Sequence, residues 1–276
     1  MRILMQGRED MEKSKAQALL KRTLSALVMI PAVFGALWYG APFMNFLVML
    51  IGVILAWEWS SMVPSSRQNA YAVAYTVAAV FSAMVPFPGI VWGTIIAVCW
   101  LAVIVLARHE EHKYLLMLGV PYISLGAGAI NWLYEFSGFP IALLFFLAVW
   151  SVDIGGYFVG STLKGPKLAP KISPNKTWSG LIGGVLLAVL VTGGLVYYFT
   201  GTQLLFYVCL LSAAVAVVAQ IGDLIESAIK RRLGLKDSSN LIPGHGGMFD
   251  RVDGLIFSAP MLYLALQIVD MINSGM

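Results

Sequence analysis

From about residue 24 onward the chain alternates between long apolar runs and short polar breaks. A bilayer span needs about 20 mostly apolar residues. Runs of about that length lie near 24–40, 43–63, 70–86, 89–107, 114–134, 139–160, 179–200, 203–222 and 254–273. The third is the weakest, because Pro86 and Pro88 end it abruptly. The pattern predicts an all-α polytopic membrane protein with about nine transmembrane helices. Gly126, Gly128, Gly155, Gly156, Gly183 and Gly184 fall inside the runs. Small residues let membrane helices approach closely, so these are expected at helix contacts. The runs divide the chain into an N-terminal segment (1–23), N-terminal transmembrane helices (24–138) and a C-terminal membrane part (139–276) that carries two polar loops.

Composition excludes a soluble domain. Of 276 residues, 59% are hydrophobic and 12% charged. A water-facing surface needs roughly a quarter of residues charged. Cys99 and Cys209 lie within apolar runs without metal-ligand spacing, and read as small buried hydrophobes. The first run has no small-residue cleavage site after it, so it does not read as a cleaved signal.

The cations orient the map. With the N-terminus inside and nine spans, all 18 lysines and arginines fall in inside segments. The positive-inside rule thus supports an inside N-terminus and an outside C-terminus.

Polar chemistry concentrates in two inside segments, about 150–180 and 220–254, which are long and rich in Gly, Pro and charge. Such loops in a compact fold are usually functional. In the second, Asp223, Glu226, Ser227 and Lys230 stand at i, i+3, i+4 and i+7, on one helical face. A solvated helix end with paired acids would give the same spacing. The following stretch PGHGGMFDRVDG adds Gly244, Gly246 and Gly247 around His245, then Asp250 and Asp253. Glycines at this density let backbone N–H groups approach an anion such as phosphate. Carboxylates at the end of one span and the start of the next suit Mg²⁺, which takes oxygen ligands and shares them with substrate phosphate. Asp250 and Asp253 also suit helix capping. His245 fits a phosphate contact and a turn-closing role equally.

In the first segment Asp153 lies in an apolar run beside Gly155 and Gly156. An acid at membrane depth is a functional candidate by default. Lys164, Lys167, Lys171 and Lys176 follow, and Ser173-Pro174-Asn175-Lys176-Thr177 gathers two hydroxyls and an ammonium suited to phosphate. Glu58, between Trp57 and Trp59, is left unassigned.

These residues carry a family resemblance. Ser227-Ala228-Ile229-Lys230-Arg231, Lys236-Asp237, His245-Gly246-Gly247 and Asp250-Arg251-Val252-Asp253 together resemble the full signature of the CTP:phosphatidate cytidylyltransferase family. The stretch with Asp153 and Ser173–Thr177 is similar to that family's second block. The likeness covers about residues 140–260, and the first six spans match only in being hydrophobic. One departure is Ser179, where family members often carry Glu. The resemblance implies a homodimer, Mg²⁺ dependence, a second monovalent cation such as K⁺, and formation of CDP-diacylglycerol and pyrophosphate from CTP and phosphatidic acid. Carried over, Asp223 and Asp250 would hold the metal, with Ser227, Lys230, Arg231 and Asp253 completing the catalytic group. Asp153, Ser173, Lys176, Thr177, Lys236, His245, Gly246, Gly247 and Arg251 would bind substrate.

The implied location is the inner (cytoplasmic) membrane, with the site facing the cytoplasm, membrane lipid as a partner and no nucleic acid. Two rivals remain: a CTP-dependent lipid-alcohol kinase, attacking the γ-phosphorus, and an ion-coupled transporter using Asp153, Asp223 and Glu226. Against transport, the halves show no internal repeat.

Overall fold

The computed structural model describes residues 27–242 and 246–274. The expected cytoplasmic segment 1–23 and His245 lie outside the described residues.

The order is α1 (Leu27–Tyr39), α2 (Phe43–Met62), α3 (Gln68–Met84), α4 (Ile90–Leu106) and α5 (Lys113–Leu163). A hairpin follows, β1 (Lys167–Ala169) and β2 (Ser173–Thr177), then α6 (Trp178–Thr200), α7 (Leu205–Arg232) and α8 (Phe249–Ser274). Among the described residues the regular structure is helical apart from that hairpin, which the apolar pattern does not announce, and one isolated bridge, Ile242 with Gly246. The hairpin strands pair antiparallel, Lys167 opposite Thr177 and Ala169 opposite Ser173.

Six helices among the described residues are long and apolar enough to cross a membrane: Phe43–Met62, Ile90–His109, Lys113–Leu163, Trp178–Thr200, Leu205–Arg232 and Phe249–Ile272. This fits a membrane protein, but the count differs from nine for physical reasons. Leu27–Tyr39 is short, and α3 has 17 residues. The 51-residue α5 absorbs two predicted runs, the fifth and the sixth. At about 1.5 Å per residue it is more than twice as long as a bilayer core of about 30 Å is thick. It is broken at Gly138 (φ 75°, ψ 176°), two residues before Pro140. That left-handed φ favours glycine.

Local sequence explains the ends nearest the site. α5 stops where Lys164 (φ 55°) and Gly165 (φ 105°) turn left-handed ahead of Pro166. Thr177 caps α6, its Oγ1 accepting from Gly180 N at 3.1 Å. α7 continues past its apolar run, so Asp223 to Lys230 lie on unbroken helix, and its last turn carries Lys230, Arg231 and Arg232, which suits the helix dipole.

The site rests on two tight crossings. α5 packs along α6 and α8, and α7 packs on both α6 and α8. A Cβ on Gly155 would stand 2.8 Å from Gly183 O and 2.9 Å from Gly184 Cα, so α5 and α6 meet backbone to backbone. A Cβ on Gly222 would lie 2.5 Å from the Phe257 Cβ, which brings α7 onto α8. Beneath the site Trp59, Tyr122 and Phe249 form an aromatic cluster, with ring centroids 5.4–5.5 Å apart, that joins α2, α5 and α8. Leu186, Leu190 and Phe199 on α6, and Phe206 and Leu210 on α7, are exposed, as lipid-facing residues should be.

Candidate functional site

The C-terminal half of α5, α7 with the loop after it, and the first turns of α8 converge on an acidic pocket of about 310 Å³. Six acids and two bases line it, among them Asp153, Asp223, Glu226, Asp250, Asp253 and Arg251. The sequence-predicted acids of both loops therefore meet in one place. A second pocket of about 230 Å³ shares Asp153 and Asp223 as a common wall and adds Asn175, Lys176 and Thr177 from the hairpin.

Helical spacing works here as the sequence implies. Asp223 Oδ1 accepts from Ser227 Oγ at 3.3 Å, one turn on. Glu226 Oε2 is 2.6 Å from Lys230 Nζ, and Lys230 also pairs with Asp250. Glu226 and Lys230 are buried. An ammonium between two carboxylates is held by charge-assisted hydrogen bonds. Lys176 reaches across from β2 to pair with Asp223, tying the hairpin to α7.

Asp223, Glu226 and Asp253 each present an oxygen within 4.8 Å of the others. Asp250 lies in the same pocket with its carboxylate otherwise engaged. Besides Lys230, it accepts from Ser238 N at 3.0 Å, Ser238 Oγ at 3.1 Å and Gly247 N at 2.8 Å. The structure thus groups Asp253 and Glu226 with Asp223 as carboxylates close enough to share an ion.

Other predicted residues take positions with clear local reasons. Arg231 donates from Nε to Ile172 O (3.3 Å) and from Nη1 to Leu235 O (3.2 Å), clasping the hairpin turn and the end of α7. Thr177 is buried as the α6 cap, and Ser179 Oγ is 3.0 Å from its hydroxyl and donates to Lys164 O. Ser179, where the resemblance led to Glu, therefore closes the α5–hairpin turn with a short hydroxyl. Ser173 opens β2, and Lys236 is exposed on the loop after α7. Gly246 is left-handed (φ 81°) and carries the bridge to Ile242.

The glycine-rich turn cradles anions that belong to the protein itself. Gly247 N donates to Asp250, while Met248 N and Phe249 N donate to Glu58 at 2.8 and 2.7 Å. A Cβ on Gly247 would overlap the Ser238 hydroxyl and the Glu58 carboxylate. Sequence reasoning left Glu58 unassigned, yet it is fully buried against this turn. The available signal was its acid charge in an apolar run, the same one that singled out Asp153.

An apolar cavity of about 240 Å³ opens on the other side of α8, between α1, α2 and α5. Arg251, its one charged lining residue among the described residues, also lines the acidic pocket.

The profile of the Cytidylyltransferase family matches residues 20–269. The phosphatidate cytidylyltransferase of Brucella melitensis biotype 1 is 36% identical over 251 residues, covering 88% of this chain and 91% of its own. That of Rickettsia bellii is 34% identical over 271 residues, covering 95% and 96%. That of Pseudomonas aeruginosa is 34% identical over 264 residues, covering 88% and 95%. The matched region runs from before α1 into α8 and takes in every element that builds the acidic pocket, so the chain belongs to the cytidylyltransferase family.

Proposed function

We propose that the chain transfers the cytidylyl group of CTP to phosphatidic acid, giving CDP-diacylglycerol and pyrophosphate. The observation that carries this reading is the placement of Arg251, which borders both an apolar cavity among the helices and the acidic pocket. A substrate with acyl chains and a phosphate headgroup needs both environments side by side. The activity named for the relatives has the same requirement.

The chemical problem is repulsion between anions. The lipid phosphate has a second pKa near about 6, so at neutral pH it is already a nucleophile and needs no strong base. Its oxygen bonds to the α-phosphorus of CTP, the bond from that phosphorus to the β-phosphate oxygen breaks, and pyrophosphate leaves with the electron pair. Positioning and charge neutralisation supply the catalysis. Arg251 is placed to take the lipid phosphate. Lys176 and Lys230 pair with the acids, and Asn175 beside Lys176 extends the polar surface of the second pocket.

The donor set fits Mg²⁺, an oxygen-seeking ion that leaves places for substrate phosphate. Asp223, Glu226 and Asp253 offer carboxylate oxygens within 4.8 Å of one another. Asp223 is therefore the proposed shared ligand, with Asp250 joining it where Lys230 turns to a phosphate. Bound there, the ion would neutralise phosphate charge and steady the leaving pyrophosphate. The remaining carboxylates leave room for a monovalent cation such as K⁺. We place the chain in the inner membrane with nine spans, counting α5 as two, and the pocket on the cytoplasmic side. The distribution of the 18 cations supports this, and a homodimer follows from the family resemblance.

The test is incubation of the purified protein with phosphatidic acid or a lipid alcohol, Mg²⁺ and CTP labelled at the α- or γ-phosphorus. Lipid labelled from the α position is expected. Lipid labelled only from the γ position would indicate a lipid-alcohol kinase, and no labelled lipid with either would overturn the reading.

A further inference from the structure

Glu58 on α2 is a buried acid far in sequence from the acidic residues of the family signature. It is fully buried and accepts four hydrogen bonds. Oε1 takes Ser239 Oγ at 2.5 Å and Met248 N at 2.8 Å. Oε2 takes Phe249 N at 2.7 Å and Ser238 Oγ at 3.3 Å. An ionised carboxylate is a pure acceptor with about four lone-pair sites, so this set saturates it. Burying such a charge is tolerated only with donors of this kind. Met248 N and Phe249 N lie at the N-terminus of α8, where a negative charge is favoured by the helix dipole. Ordinarily the residue before a helix supplies this cap. Here a residue some 190 positions earlier supplies it.

All four donors belong to the segment that also holds Asp250. Ser238 lies between the two carboxylates, and Gly247 donates to Asp250 while its Cα faces Glu58. Moving Glu58 would therefore move the ligands of Asp250. We propose that Glu58 is a positioning residue for the reaction: from α2 it fixes Ser238, Ser239 and the first turn of α8, and so sets Asp250 within the acidic pocket. This rests on the cytidylyl-transfer reading. It also gives the N-terminal helices, which carry no signature residue, a part in the chemistry.

Glu58→Gln is the decisive variant. An amide offers one acceptor oxygen, and Met248 N and Phe249 N bond to different oxygens, so one of them loses its partner. Two measurements are made on the full-length protein in detergent. Amide hydrogen exchange at Met248 and Phe249 should quicken, and kcat should fall by about tenfold or more with KM for CTP within about twofold, as for other supporting carboxylates. Glu58→Asp should recover part of kcat. Quicker exchange with native kcat would overturn the proposal and leave a structural clasp only. Native exchange, or a loss confined to KM, would overturn it as well. If Glu58→Gln does not fold, Ser239→Ala removes one donor and should lower kcat a few-fold at unchanged KM, and native kcat there would reject the idea. Failure of the wild type to label lipid would instead reject cytidylyl transfer, with the exchange data still judging the clasp.

Discussion

Lys176 on β2 and Asp223 on α7 form an ion pair that carries the hairpin onto the acidic pocket. The ammonium thus sits where two proposed roles meet, beside a metal-ligand candidate and facing the second pocket. Lys176→Ala should lower kcat/KM for CTP or phosphatidate by about 10- to 100-fold, corresponding to a charged hydrogen bond of about 1.5–3 kcal/mol. Stability should change by no more than about 1 kcal/mol, because the pair is partly exposed. Kinetics with each substrate, alongside thermal unfolding in detergent, check both halves. Unchanged kinetics for both substrates would leave Lys176 as a tie between hairpin and helix.

The α5–α6 crossing gives a prediction about packing. A Cβ at Gly155 meets backbone atoms of α6 at 2.8 and 2.9 Å, and backbone cannot swing aside as a side chain can. Gly155→Ala should therefore destabilise the protein by about 1–3 kcal/mol through overpacking. Gly93 in α4 has nothing within 4 Å of its would-be Cβ. Gly93→Ala should be neutral or stabilising by up to about 1 kcal/mol, the usual helix preference. Unfolding midpoints of the two variants should move apart, and equal shifts would contradict the crossing.

Orientation can be checked separately. Reporter fusions in the hairpin near Lys171 and at the C-terminus should report opposite sides of the membrane. That follows from nine spans with every cation inside. The same side for both would remove the nine-span map.

The apolar runs located the helices, because a membrane span declares itself by length and composition. They also located the residues that meet in the pocket: Asp153, Asp223, Asp250 and Asp253 all border it. Partners far away in the chain were not legible. Glu58 lies between two tryptophans with no motif around it, and its donors stand 180 to 191 positions later. The roles of single groups were hidden for the same reason. The resemblance puts Arg231 in the catalytic group, yet two of its donors serve the carbonyls of Ile172 and Leu235. Nor did the sequence show that Gly247 N donates to Asp250 while the glycine stands against Glu58, since both contacts depend on how the helices pack. The hairpin is too short and too polar to show a strand periodicity.

The most direct test of the acidic pocket is turnover against Mg²⁺ concentration for Asp223→Asn, Asp250→Asn and the double variant. Asn keeps the shape of Asp and removes its charge, so folding should survive, and Asp250→Asn retains an oxygen for Gly247 N and Ser238 N. If the two carboxylates serve one metal-dependent centre, each single variant should lose about 100-fold or more in turnover, and the double variant little beyond that, since residues acting as a unit are strongly non-additive. Capping alone would leave turnover intact and lower stability by about 0.5–2 kcal/mol. Near-native turnover of Asp223→Asn at saturating Mg²⁺ would contradict the account.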